Sequence, residues 1–208
     1  MKKLVALLVV LTASIAAQAG IEITEWMYKG TNGEFIELTN TGSTSINMAG
    51  WSFSDTDKTP GDADISALGI VAPGESVILT ETAAGTFRTA WGLSASLKII
   101  GSNTNSQLGR ADEIHIYNGS AEIDSLVYDD QAGKGPRTEN KSCNIPVADY
   151  SITTAKNTWA LSSVGDTFGS WKSSGNDIGT PGTAAVPEPA TMVILGLGSL
   201  LLIRNRRA

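Results

Sequence analysis

The chain has 208 residues, 41% of them hydrophobic and 17% charged, with 22 glycines and a formal net charge of −6. Of its 15 Lys and Arg residues, five (Lys2, Lys3, Arg204, Arg206 and Arg207) sit at the two ends, leaving 10 against 21 Asp and Glu, a net of −11 for residues 20–190. A body this acidic repels phosphate backbones and argues against nucleic acid as a partner, and its length suits one domain with its own core.

Met1-Lys2-Lys3, an apolar run from Leu4 to Ala17 and the small-x-small site Ala17-Gln18-Ala19 follow the order of a secretory signal peptide. Residues 1–19 are therefore predicted to be removed after Ala19, which commits the body to export. The one cysteine, Cys143, excludes an intrachain disulfide. Stability must come from the core, and the thiol is read as buried, with pairing to a second chain as the alternative.

From Gly20 onward, short apolar runs are broken by Gly, Asn, Asp and Ser. Strands are predicted at 21–28, 34–40, 46–54, 76–81, 97–101, 112–117, 121–128 and 158–162, with one brief helix at 83–91 before Gly92. Many short strands with turn signals between them argue for an all-β sandwich or barrel. If the first two strands form a hairpin centred on Thr31, Met27 meets Phe35 and Glu25 falls opposite Glu37. Like charges so opposed destabilise a sheet unless a cation, an Arg or a backbone amide answers them, and the pair is read as rim carboxylates satisfied by hydrogen bonds. Farther on, Asn118-Gly119 predicts a type I′ hairpin turn. The stretch from Asp130 to Asp149 gives no pattern, and residues 171–185 read as a Gly/Ser/Pro/Ala-rich linker.

Candidate chemistry is sparse. His115, the only histidine, lies between Ile114 and Ile116, so strand alternation turns it away from the core toward solvent. With one histidine, a multi-histidine zinc site is impossible and any Ser-His or Cys-His system depends on this residue. The segment "DTDKTPGDAD" gathers Asp55, Asp57, Asp62 and Asp64 on a bendable loop. Hard oxygen ligands of this kind suit Ca²⁺, although the spacing is not that of an EF-hand; the alternative is a solvated acidic loop. Among Trp51, Trp91, Trp159 and Trp171, Trp51 is assigned to the core and Trp171 is the surface candidate for stacking on sugars.

The C-terminal stretch "VPEPATMVILGLGSLLLIRNRRA" joins Val186-Pro187-Glu188-Pro189 to an uncharged apolar run, Thr191 to Ile203, and then to Arg204, Arg206 and Arg207. As a helix the run spans about 20 Å, short for a bilayer core of roughly 30 Å, and the arginines hold its far end on the cytoplasmic side. These elements, at 186–208, resemble the PEP-CTERM sorting signal of Gram-negative bacteria. That resemblance implies processing by exosortase, transient anchoring in the inner membrane by a short transmembrane helix, and delivery to the cell surface or an exopolysaccharide matrix, with a permanent tail anchor as the alternative.

In the body, "EFIEL" with Asn40 and Gly42, Gly50-Trp51, Pro73-Gly74-Glu75 and "GTPG" at 179–182 occur in an order that resembles the lamin-tail domain. The resemblance implies an immunoglobulin-like β-sandwich over 20–170, extending to about 183, and a non-catalytic module. The resulting expectation is an exported surface or matrix protein that binds exopolysaccharide or envelope proteins. The alternatives are a calcium-dependent ligand- or carbohydrate-binding module and, with no motif behind it, a secreted hydrolase.

Overall fold

The computed structural model describes residues 20–104, 107–146 and 160–184. In chain order the strands are β1 (Ile21–Met27), β2 (Phe35–Asn40), β3 (Ile46–Asn47), β4 (Trp51–Ser54), β5 (Ala63–Asp64), β6 (Ile70–Val71) and β7 (Ser76–Thr80). After helix α1 (Ala84–Trp91) come β8 (Lys98–Ile100), β9 (Ala111–Asn118), β10 (Ala121–Asp129), β11 (Cys143–Asn144), β12 (Ala160–Leu161), β13 (Trp171–Lys172) and β14 (Ile178–Gly179). One sheet has the order β12-β11-β1-β2-β7-β8 and the other β10-β9-β4-β5, with β3-β6 and β13-β14 as small pairs. This is the expected β-sandwich.

Alternating apolar side chains of the two sheets meet in the main core: Ile23, Trp26, Ile36, Leu38, Val77 and Leu79 from one, Phe53, Ile114, Ile116, Leu126 and Tyr128 from the other. Behind the larger sheet lies a second apolar cluster, in which Phe87 and Trp91 of α1 pack on Met27, Phe35 and Ile78. Phe35 meets both α1 rings edge-on at 5.5 and 5.8 Å. One end of that outer face is thus apolar and covered by the helix.

The first hairpin keeps the expected pairs Met27–Phe35 and Glu25–Glu37, but its register breaks between Ile23 and Glu25. Without the extra residue, Glu25 would follow Ile21 and Ile23 into the core. The bulge turns Trp26 inward instead and sends Glu25 to the outer face, because a one-residue shift exchanges the faces of a strand. A matching break in β10, between Glu122 and Asp124, brings Asp124 to β1, where its Oδ2 accepts the Ile23 N–H at 2.7 Å.

Three expectations are corrected here. The β9–β10 turn is not type I′: Asn118 still pairs with Ala121, and only Gly119 of the central pair Gly119-Ser120 has a positive φ, the II′ pattern. The single strand expected at 46–54 is two, divided by a turn at residues 48–50. Residues 171–179, expected as linker, form the β13–β14 hairpin, bonded to the body by side chains that composition alone does not reveal.

Candidate functional site

The most heavily built polar site lies at the other end of that outer face. Glu25 and Glu37 are fully buried there, not at a rim as the sequence suggested. They are answered by the segment Gly179-Thr180-Pro181-Gly182. The Thr180 N–H donates to Glu25 Oε1 at 2.7 Å and the Gly182 N–H to Glu37 Oε2 at 2.5 Å. Pro181, between them, has no N–H to leave unpaired. Ser142 Oγ–H also donates to Glu25 Oε1, and the Thr24 hydroxyl donates to Glu37 Oε1 at 2.7 Å. Thr24, Thr39 and Ser76 continue this as a chain of hydroxyls.

Gly179 is required by close approach: a Cβ there would lie 2.8 Å from Ser142 Oγ and 2.9 Å from Glu25 Oε1. Upstream, buried Asp177 takes the Thr31 and Asn32 N–H groups, each at 2.9 Å, and so ties β14 to the β1–β2 turn. The result is a clasp that fastens the last described segment onto the first hairpin.

Burial, and then the neighbouring Glu37 charge, push the Glu25 carboxyl well above the ordinary carboxylate range; burial does the same to Glu37. Glu25 Oε2 is buried without a hydrogen-bond partner among the described residues, which favours a protonated carboxyl over a bare charge. Both effects favour a proton on the pair, and the hydrogen bonds around it fasten the chain together.

The other sequence candidates fall elsewhere. Asp55 Oδ1 accepts the Asp57 N–H at 3.3 Å in a local turn, and Asp64 Oδ1 accepts the Ser66 N–H at 2.8 Å. No three Asp, Glu, His or Cys side chains among the described residues, Asp55, Asp57, Asp62 and Asp64 included, converge to hold a metal ion. The acidic loop instead folds back over the smaller sheet, with Thr59 N–H on Ser54 Oγ and Gly61 N–H on Ser52 Oγ.

That fold-back corrects the expectation for His115. It does face outward from β9, but it is buried, with Glu122 Oε2 2.8 Å from Nδ1 and Glu113 Oε2 2.7 Å from Nε2. Lys58 of the covering loop closes on Glu113 at 2.7 Å. Both ring nitrogens are held by carboxylates and neither contacts a hydroxyl or thiol.

Trp171 is part-buried: its indole N–H donates to the Trp91 carbonyl at 3.2 Å and its ring meets Trp91 in a T-shaped contact, while it also lines a surface cleft. Trp51 is in the core as expected. Cys143 is buried, and burial pushes its thiol up, away from the reactive thiolate.

The signal-cleavage residues Ala17 and Ala19, the sorting residues Val186, Pro187, Glu188, Pro189, Arg204, Arg206 and Arg207, and Trp159 lie outside the described residues. Among the described residues, no helix is long and apolar enough to cross a membrane.

Compared with known families, residues 14–130 match the Lamin Tail Domain model and residues 185–207 the PEP-CTERM protein-sorting motif. Compared with curated proteins, the chain matches none. The clasp carboxylates Glu25 and Glu37 lie within the first match, whereas the segment that answers them, Gly179 to Gly182, lies beyond it and ends three residues before the second.

Proposed function

The chain belongs to the lamin tail domain family and carries a PEP-CTERM motif that marks it for exosortase-dependent export, and from that premise we propose that it is a non-catalytic binding module displayed at the surface or in the matrix of a Gram-negative cell. The observation that carries this reading is the position of the clasp. Glu25 and Glu37 grip Thr180 and Gly182, and the sorting motif begins at residue 185. The clasp therefore closes ahead of the segment to be processed, and removal of that segment takes away none of its contacts. The signal peptide over 1–19 brings the chain to the secretion machinery, and exosortase then acts at the membrane face.

The His115 environment supports a non-catalytic role, since both nitrogens are bonded to carboxylates instead of a nucleophile. The test is fractionation of the native host expressing either the natural chain or one with Pro187, Glu188 and Pro189 replaced by alanine. The natural chain is expected at the outer surface or in the medium, open to added protease, and the variant in the inner membrane. Identical distribution of the two would refute the reading.

A further inference from the structure

Three of the basic residues of the acidic body, Lys29, Arg110 and Arg137, converge on one cleft of about 510 Å³ whose lining also includes Tyr28, Glu34 and Glu81. Each cation is held in place by an acid. Lys29 Nζ lies 2.9 Å from Glu139 Oε1, Arg110 Nη2 lies 2.8 Å from Asp130 Oδ1, and Arg137 pairs with Glu139 Oε2. The two guanidiniums commit only Nε and Nη2 to these pairs, so Nη1 of each has no acceptor among the described residues. Both side chains stand partly exposed at the cleft. Ion pairing fixes the plane of each guanidinium while leaving that edge open.

Beneath them lies Glu34, only 5% exposed. Its Oε2 accepts the Leu108 N–H at 2.6 Å, while Oε1 has no hydrogen-bond partner among the described residues and is not sealed from the cleft it lines. Glu81 accepts the Glu34 N–H through Oε1 at 3.1 Å. Burial pushes the Glu34 carboxyl up to about 8, so near neutrality it keeps its proton and can both donate and accept. A buried carboxyl aimed into a cleft beneath two open guanidinium edges is a costly arrangement for folding alone.

The charges of the cleft nearly balance, with Lys29, Arg110 and Arg137 set against Glu81, Asp130 and Glu139. Balance disfavours a phosphate or a bare metal ion, and the charged lining disfavours a lipid. Fixed donors beside fixed acceptors match a hydroxyl, which is both at once. We propose that this cleft binds a saccharide unit of an extracellular glycan, its hydroxyls held by the carboxyls of Glu34 and Glu81 and by Nη1 of Arg110 and Arg137. The assignment rests on the surface-module reading and deepens it by naming the ligand class.

The test is native affinity electrophoresis of the protein purified from its host, through gels containing dextran or xylan (neutral) and alginate or polygalacturonate (acidic). Retardation by at least one of them is expected, weakened roughly tenfold in Arg137→Ala and in Glu81→Gln with thermal melting unchanged. The gel type that retards distinguishes a neutral from an acidic glycan. Retardation by none of the four, or retardation equal in natural and variant proteins, would overturn the cleft assignment. Protease accessibility of the protein on the host cells from which it is purified separates the two claims. If it persists, only the ligand assignment fails; if it is absent, the surface-module reading fails as well.

Discussion

Three buried glutamates make the stability of this body sensitive to pH. Glu25, Glu37 and Glu34 are buried, and in each the folded-state pKa is raised, chiefly by loss of solvent. A raised carboxyl pKa means that the folded chain binds more protons than the unfolded one between the two values, so stability is full below the unfolded pKa and is lost as pH rises through the folded one. For Glu34 that window runs from about 4.5 to about 8. The melting temperature is therefore expected to fall steadily from pH 5 to pH 8. Glu25→Gln keeps the acceptor for Thr180 without the charge, and should flatten this slope; an unchanged slope would mean that the pair does not titrate. Close approach at Gly179 gives a second test. Gly179→Ala places a methyl against Ser142 Oγ and Glu25 Oε1 and should destabilise by about 1–3 kcal/mol in urea unfolding.

The β13–β14 hairpin shows what separates a strand legible in sequence from one that is not. Strands β1, β2, β7, β9 and β10 run five residues or more, long enough for alternation to be read, and they were predicted within a residue or so of their ends. Strands such as β5, β6, β11, β13 and β14 have two residues each, too few to carry a period, and β11 is fixed by β1, a partner far along the chain. The same reason hid the clasp: the opposition of Glu25 and Glu37 follows from hairpin register, but the amides that answer it come from about 150 residues away. His115 illustrates a related limit, because alternation gives the direction of a side chain and not whether a loop returns to cover it. The tie between hairpin and body is testable at Asp177. Asp177→Ala strands the Thr31 and Asn32 N–H groups, and a loss of about 1.5–3 kcal/mol per bond is expected. A melt indistinguishable from the natural protein would show that the hairpin is not fastened there.

On the scale of the whole molecule, an acidic sandwich with a second layer of helix and hairpin stands directly ahead of a sorting motif. Asp55 and Asp64 accept backbone N–H groups of local turns, and no three acidic, His or Cys side chains among the described residues converge on a metal ion; millimolar Ca²⁺ and EDTA should therefore give the same melting temperature, and a rise with Ca²⁺ would contradict this. The lone histidine is held between Glu113 and Glu122. What the molecule offers the outside is a stable body and the cleft around Glu34. The most direct measurement is the intact mass, with C-terminal peptide mapping, of the protein from the native envelope and medium. The account predicts a chain beginning at Gly20 and ending after the clasp, between Ala184 and the apolar run that starts at Thr191. A chain intact to Ala208 and confined to membranes, or one cut ahead of Gly182, would contradict it.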